Sequence, residues 1–259
     1  MDIFFIGYDA IGDFISNNGM IRYLLKRYEK VLVVTDSLDS FLLSLFNDNK
    51  NVVPVNFHYY NSTIDSGRQV DVIDVRVHEK YQKSQNHNGN YFDKDNKIGN
   101  VLNQNANDNA SHFYSNMGLP IEMRISEFYF KRDIEQEKIL LDSLSLNTGF
   151  TSICDYYPCL INKDYINNTN IVNLHKISPR FTDIISIIEN SNEVHLIENS
   201  ISLFVYHLQS KGLMKKVNIK LHAYCRKESH RICNGPNCNN LYLNMLLSPK
   251  LENWDIIWS

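Results

Sequence analysis

The sequence predicts an α/β protein with two Rossmann-like domains, each built on a parallel β-sheet, that face each other across a cleft. Short apolar strands alternate with helical segments in both halves of the chain, which is typical of βαβ units. Residues 81–110 between them are polar and nearly without aliphatic side chains. We therefore expect an N-terminal domain at residues 1–120, with a polar surface loop at 80–110, and a C-terminal domain at residues 121–259.

The first half contains four apolar runs of strand length and two helical patterns. The run Val31–Val34 is continuous and β-branched, as expected for a buried strand of a parallel sheet. Apolar residues recur at helical spacing from Ile15 to Leu25, and Ser40–Phe46 is also predicted to be helical. The other predicted strands are Ile3–Ile6, Asn51–Val55 and Val70–Val75.

The second half repeats this alternation. The segment Asp133–Leu144 is predicted to be a helix with Glu135 and Glu137 in its first turn, where acidic side chains interact favourably with the helix dipole. A helix over Ser200–Gln209 is expected to stop at Gly212. Two more helices are predicted at Phe181–Glu189 and Asn240–Leu247, and four strands at Phe150–Cys154, Ile171–Leu174, Val194–Ile197 and Val217–Ala223.

The composition narrows the class of protein. A hydrophobic content of 43% and a charged content of 21% are ordinary for a globular protein, and a net charge of −3 argues against a nucleic-acid-binding face. No apolar run reaches the roughly 18–20 residues that span a bilayer. Five cysteines without an export signal favour reduced thiols in a cytoplasmic protein. An AT-rich genome, viral or cellular, would produce the excess of 33 asparagines; a viral protein would occupy the host cytoplasm.

The first candidate site is Gly12-Asp13, between the first predicted strand and the helix that follows it. Ligands of open α/β sheets bind outside the carboxyl ends of the strands, and glycine lets the backbone approach a ligand closely. Asp13 at a helix N-terminus would stay ionised in the field of the helix dipole and could act as a general base. The alternative is that Asp13 caps the helix. The spacing of Gly7 and Gly12 does not match the dinucleotide-binding fingerprint.

The second candidate site is the segment His195–Ser200, where a strand runs directly into a helix. Unpaired N–H groups behind Asn199 and Ser200 would bind a diphosphate, and Glu198 could accept hydrogen bonds from a ribose diol. A following strand would bring Tyr224 and Arg226 to the same edge, where arginine pairs well with phosphate. The alternative is a helix cap at Asn199-Ser200 and a solvated Arg226.

A zinc site is a competing interpretation of the C-terminal part of the chain. Five ligand-type side chains lie within 17 residues, but their spacing lacks the paired cysteines of common zinc fingers. These residues are His222, Cys225, His230, Cys233 and Cys238.

Several segments together resemble glycosyltransferases of the GT-B type, particularly heptosyltransferase-like enzymes and related viral or marine-bacterial enzymes of capsule and lipopolysaccharide synthesis. These segments are residues 12–22 (GDFISNNGMIR), 31–35 (VLVVT), 114–120 (YSNMGLP), 128–133 (FYFKRD) and 195–200 (HLIENS), with Trp254 near the end.

The resemblance implies a metal-independent enzyme of glycan synthesis that moves a sugar from a nucleotide-diphosphate sugar to an acceptor hydroxyl, with no further cofactor. It implies Asp13 as the base, and a donor site on the C-terminal domain at Glu198-Asn199-Ser200 with His195, Tyr224 and Arg226 nearby. Gly12, Asn17 and Asn18 would belong to the acceptor side. Basic residues that such enzymes often carry after the first strand of the second domain are missing from Cys154–Pro158. The alternative is therefore a non-catalytic module of this fold that binds a nucleotide or a glycan.

Overall fold

The computed structural model describes residues 1–75, 90–91, 113–114, 117–146, 149–155, 160–177, 180–223 and 251–257. The chain divides into two compact units, Met1–Lys131 and Arg132–Ser259. Each unit contains one five-stranded sheet, and every strand pair in both sheets is parallel. The α/β class and the parallel sheets predicted from the alternating pattern are confirmed.

The sheet of the first unit has the strand order β3-β2-β1-β4-β5. Strand β5 falls inside the stretch predicted to be only a polar loop, and it pairs with the edge of β4. Backbone pairing needs no apolar side chains, so the composition gave no signal for this strand. The strands are β1 (Asp2–Ile6), β2 (Lys30–Val34), β3 (Val52–Val55), β4 (Asp71–Asp74) and β5 (Asn90–Tyr91).

Four helices accompany this sheet among the described residues: α1 (Ile11–Leu24), α2 (Asp39–Leu45), α3 (Phe57–Asp65) and α4 (Met123–Ser126). Helix α3 was not predicted, because its sequence FHYYNSTID holds few aliphatic residues at helical spacing. It packs on the sheet through Tyr60, whose ring meets Phe4 edge-on with centroids 5.1 Å apart. Both side chains are fully buried in one apolar cluster, so burial of the aromatic rings stabilises this helix.

Helix α1 packs unusually closely against α4. A Cβ atom added at Gly19 would collide with the carbonyl oxygen of Met123. In the same region the Tyr114 hydroxyl donates to the Ser16 carbonyl and accepts from the Met20 N–H, both at 3.1 Å. These two backbone groups are the pair that bond directly in a regular helix, so Tyr114 is inserted into the hydrogen-bond ladder of α1.

Contacts of this kind explain where the first unit ends. Residues 121–131 lie beyond the predicted boundary at residue 120, but they pack on α1. Lys26 forms an ion pair with Glu127 at 2.7 Å, and Arg22 donates to the Tyr129 carbonyl at 3.0 Å. The division by contacts therefore falls after Lys131.

The sheet of the second unit has the strand order β10-β9-β8-β6-β7. The edge strand β10 was not predicted from the sequence. Its Trp254 is buried and donates from Nε1 to Gln209 Oε1 at 2.8 Å. The strands are β6 (Thr151–Cys154), β7 (Ile171–Asn173), β8 (Glu193–Ile197), β9 (Ile219–His222) and β10 (Trp254–Ile257).

The described helices of the second unit are α5 (Ile134–Ser143), α6 (Leu174–Ile177), α7 (Ile185–Asn190) and α8 (Ser200–Lys211). The helix predicted over Phe181–Glu189 begins instead as a 3₁₀ turn, Phe181–Ile184. In α8 every residue from Ile201 to Gln209 is buried, and the helix ends at Gly212 with φ 71° as predicted. In the part of the chain that the structure describes, no helix is long and apolar enough to cross a membrane.

Both strand orders contain a point where the chain reverses its direction of travel across the sheet. In the first unit this switch point lies between β1 and β4, and in the second unit it lies between β6 and β8. Ligands of open α/β sheets bind outside the carboxyl ends of the strands at such points. Functional side chains are therefore expected at the two switch points.

Candidate functional site

Asp13 lies in the first turn of α1, beside the switch point of the first sheet. The N-cap residue is Ala10, in extended conformation and without a side-chain cap hydrogen bond. Gly12 and Asp13 are therefore helical residues and do not belong to the loop after the strand. The alternative interpretation of Asp13 as the helix cap is wrong, because the helix begins three residues before the position that a capping aspartate would need.

Burial raises the pKa of the Asp13 carboxyl to about 6. The pKa rises because the loss of hydration outweighs the favourable field of the helix dipole. At neutral pH the group is still mostly ionised. A carboxylate with a pKa close to neutrality binds a proton more readily than an exposed one, which suits a general base.

Asn17 and Asn18 follow one turn later in α1 and are both fully buried. The Asn18 Oδ1 accepts from Arg22 Nε at 3.0 Å and from the Tyr129 N–H at 3.1 Å, so this side chain holds the 121–131 segment to the helix. Asn17 is different. Among the described residues, neither Oδ1 nor Nδ2 of Asn17 has a hydrogen-bond partner.

The loop after β1 is tied to the loop after β2 by an aspartate that the sequence did not single out. Asp9 Oδ1 accepts from the Thr35 hydroxyl at 2.5 Å, and Asp9 Oδ2 accepts from the Ser37 hydroxyl at 2.9 Å. These bonds hold two neighbouring loops together at the carboxyl edge of the sheet. The only signal in the sequence was the position of Asp9 and Thr35 just after predicted strands.

In the second unit, Asn199 forms the N-cap of α8 with a complete capping box. Its Oδ1 accepts from the Ser202 N–H, and the Ser202 hydroxyl accepts from the Asn199 N–H, each at 3.0 Å. Its Nδ2 also donates to Cys154 Sγ at 3.0 Å. Because Cys154 ends β6 and Asn199 follows β8, this asparagine bridges the two strands of the switch point. The capping interpretation of Asn199 is confirmed, and Ser200 is the first residue of the helix.

Cys154 and Glu198 are the buried ionisable groups next to this cap. Burial raises the pKa of the Cys154 thiol to about 11, so the thiol is neutral at neutral pH. Glu198 lies between strand and cap, and its side chain is almost fully buried. The edge of the second sheet therefore offers backbone groups, a carboxyl group and hydroxyls, but no basic residue from Cys154-Asp155.

His195 lies inside the sheet. It is fully buried on β8, and its Nδ1 is 2.9 Å from Nε2 of His222 on β9, with the two rings stacked. Burial lowers the pKa of His195, and it lowers the pKa of His222 to about 4. Both imidazoles are therefore neutral at neutral pH. His195 also lies near Glu193, whose Oε2 is 3.6 Å from His195 Nε2.

Several predicted residues cannot be placed. Tyr224, Arg226 and the segment Asn240–Leu247 lie outside the described residues. So do the remaining members of the proposed zinc cluster, Cys225, His230, Cys233 and Cys238, while His222 hydrogen-bonds His195. Within the described ranges, no group of three or more His, Cys, Asp or Glu side chains is arranged to hold a metal ion.

No protein-family model matches the sequence. No curated protein matches it either. Among solved structures, the chain is similar to a glycosyl transferase family 9 protein from Veillonella parvula DSM 2008, with 10% identity over 85% of this chain and 80% of that one and a TM-score of 0.52. It is also similar to the E. coli ADP-heptose lps heptosyltransferase II, with 10% identity over 99% of this chain and 90% of that one and a TM-score of 0.50.

These likenesses and the two parallel sheets define the class: the chain has the GT-B fold of glycosyltransferases. The fold predicted from the ordered sequence segments is confirmed. Two of the solved proteins that share it are a family 9 glycosyl transferase and a heptosyltransferase, and at 10% identity the likeness concerns the fold alone.

Proposed function

We propose that this protein is a glycosyltransferase that moves a sugar from a nucleotide-diphosphate sugar to an acceptor hydroxyl in glycan synthesis. The observation that carries the proposal is Asp13, a carboxylate with a pKa near 6 in the first turn of α1, beside the switch point of the first sheet. The GT-B fold supports it, since family 9 and heptosyltransferase structures share this architecture.

In the proposed reaction, Asp13 accepts the proton of the acceptor hydroxyl. The acceptor oxygen forms a bond to the anomeric carbon of the donor sugar, and the bond from that carbon to the diphosphate breaks. The nucleoside diphosphate leaves with the electron pair of that bond. A base with a pKa close to the working pH combines a deprotonated resting state with useful proton affinity.

The donor nucleotide is assigned to the turn Glu198-Asn199-Ser200 in the second unit. The N-terminus of α8 presents backbone N–H groups and the positive end of the helix dipole to a diphosphate, which would replace a metal ion. The capping box already occupies the Ser202 N–H, so the proposal relies on the N–H groups of Ser200 and Ile201. Glu198 would hold the ribose diol, and Tyr224 and Arg226 remain predictions of the sequence.

One observation favours the alternative, a non-catalytic module that binds a nucleotide or a glycan. The end of β6 carries the buried neutral thiol of Cys154 and the acidic Asp155, where a basic residue would assist a leaving diphosphate. A module of this kind would still bind a ligand at the strand edges, but it would show no turnover.

A nucleotide panel tests the assignment. We expect UDP, GDP, ADP or CMP to raise the melting temperature, since a ligand at about 100 times its dissociation constant stabilises the fold by about 2.7 kcal/mol. Glu198→Gln should weaken the binding of nucleoside diphosphates and leave the binding of pyrophosphate unchanged. The matched control is Glu193→Gln, at the opposite end of β8, which should bind nucleotides normally.

Turnover separates the two functions. Release of nucleoside diphosphate from a nucleotide sugar, unchanged by EDTA, would support a metal-independent transferase. Nucleotide binding without any turnover on a broad acceptor panel would favour the binding module. A flat thermal response to all four nucleotides would contradict the donor site.

A further inference from the structure

Asn17 is a buried amide whose polar atoms the rest of the described protein leaves unused. Its side chain is fully buried, and among the described residues neither Oδ1 nor Nδ2 has a partner. Buried side-chain amides in folded proteins are almost always hydrogen-bonded, because an unmade bond is unfavourable. An unpaired amide in such a position calls for a specific explanation.

The amide lies at the switch point of the first sheet. A Cβ atom added at Gly7, which directly follows β1, would stand 3.9 Å from Asn17 Nδ2 and 3.9 Å from Val75, which directly follows β4. Its shortest contact would be 3.4 Å, to Phe5. A methyl group at Gly7 would therefore touch the amide at ordinary contact distance, at the carboxyl end of the two strands.

Asn17 also shares a face of α1 with the proposed base. Asp13 and Asn17 are four residues apart, which places their Cβ atoms about 5–6 Å from each other. Asp13 is partly buried and Asn17 is fully buried. Two hydroxyl groups on adjacent carbons of a sugar ring can span this separation, with one hydroxyl at the carboxylate and the other at the amide.

We propose that Asn17 determines acceptor specificity by hydrogen-bonding a second hydroxyl next to the one that Asp13 deprotonates, so that the acceptor is a sugar with a vicinal diol. The inference rests on the proposed function. An amide suits this role because it offers both a donor and an acceptor to one hydroxyl group. A substrate that lacks the second hydroxyl would leave the amide unpaired, and it would therefore bind more weakly.

The neighbouring Asn18 shows what a purely structural asparagine looks like in the same helix turn. Its Oδ1 accepts two hydrogen bonds, from Arg22 and from Tyr129, and joins α1 to the 121–131 segment, while its Nδ2 has no partner among the described residues. Asn17 makes no such connection within the described chain. The two side chains thus provide a matched pair for experiment.

The test is carried out on the full chain with ¹⁵N-labelled side-chain amides. The probes are the methyl glycosides of glucose, mannose and galactose, with tetrahydropyran as a ring without hydroxyl groups. The Asn17 signal is the one that disappears in Asn17→Leu. We expect at least one glycoside to shift the Asn17 signal and tetrahydropyran to leave it in place.

Two variants separate ligand recognition from folding. Asn17→Leu keeps a similar shape without the unpaired polar atoms, so it should melt at the same or a higher temperature. In this variant the glycosides should no longer shift any side-chain amide signal at the carboxyl edge of the first sheet. Gly7→Ala fills the space beside Nδ2 without a clash and should weaken glycoside binding by about tenfold. Asn18→Leu should lower the melting temperature, because it leaves the Tyr129 N–H without its acceptor and removes one of the two acceptors of Arg22 Nε.

The proposal is overturned if no glycoside shifts the Asn17 signal, if tetrahydropyran shifts it equally, or if Gly7→Ala binds glycosides as the parent does. Should Asn17→Leu fail to fold, the Gly7→Ala result decides. Nucleotide binding is measured on the same samples. Glycoside binding at Asn17 without any nucleotide response would preserve this inference and remove the proposed transferase, and the reverse result would do the opposite.

Discussion

The carboxyl edges of the two sheets differ in how their polar groups are satisfied. At the edge of the second sheet, Asn199, Ser202 and Cys154 bond to one another, so the turn is complete without a ligand. At the edge of the first sheet, burial raises the pKa of Asp13 to about 6, and the Asn17 amide has no hydrogen-bond partner among the described residues. The first edge therefore carries side chains that can still form hydrogen bonds to a ligand, while the second edge offers mainly backbone N–H groups held in place by the cap.

The same physical cause, burial, shifts a pKa upward in the first unit and downward in the second. Burial raises the pKa of Asp13, which favours its protonated neutral form. Burial lowers the pKa of His222, which favours its deprotonated neutral form. In each case the low-dielectric surroundings favour the uncharged state. Acidification should therefore affect the stability of the two units in opposite directions.

The largest expected effect comes from Asp13→Asn. If Asp13 is the base, kcat should fall by about 10²–10⁴-fold. At neutral pH the same variant should be more stable by about 2–3 kcal/mol, because asparagine carries no charge to desolvate. Steady-state kinetics and urea unfolding measure the two effects.

The matched control for this variant is Asp39→Asn, which removes an acid from the first turn of α2. It should leave kcat unchanged and slightly lower the stability, since a favourable dipole interaction is lost. Full activity in Asp13→Asn would show that Asp13 is not the base.

The second prediction concerns pH. The folded pKa of Asp13 lies above its unfolded value of 3.8, so the first unit should gain about 3 kcal/mol as the pH falls from about 6 to about 4. The folded pKa of His222 lies below its unfolded value of 6.5, so the second unit should lose about 3 kcal/mol as the pH falls from 6.5 to about 4.

Both tryptophans of the sequence belong to the second unit, so their fluorescence during urea unfolding reports that unit, and hydrogen exchange of the β1 amides reports the first. Asp13→Asn and His222→Gln should each flatten the pH dependence of one unit only. Parallel pH profiles for the two units would show that the opposite shifts do not govern stability.

The smallest expected effect concerns the cap. Asn199→Ala should lower the stability of the second unit by about 1 kcal/mol and also weaken nucleotide binding, because the N-terminus of α8 loses its fixed geometry. The control is Asn56→Ala, which removes the corresponding cap of α3 in the first unit. It should show a similar loss of stability and normal nucleotide binding, as measured by thermal unfolding with and without ligand.

Most of the architecture could be predicted because it depends on local pattern. The predicted strands Val31–Val34 and Val194–Ile197 lie inside their sheets, and Gly212 ends α8 in the left-handed conformation as expected. Helix α3 and strand β10 could not be predicted, because they depend on distant partners. Tyr60 is stabilised by Phe4, and Trp254 by Gln209.

The two βα repeats, the parallel sheets and the position of Asp13 near a strand end follow from the hydrophobic period and the order of segments along the chain. The state of the polar groups depends on the folded structure. The folded structure shows that Ala10 and not Asp13 is the N-cap, that Asn18 is bonded while Asn17 is unpaired among the described residues, and that His195 pairs with His222. The reason is that hydration and hydrogen bonding of a side chain depend on residues far away in the sequence, which local pattern does not record.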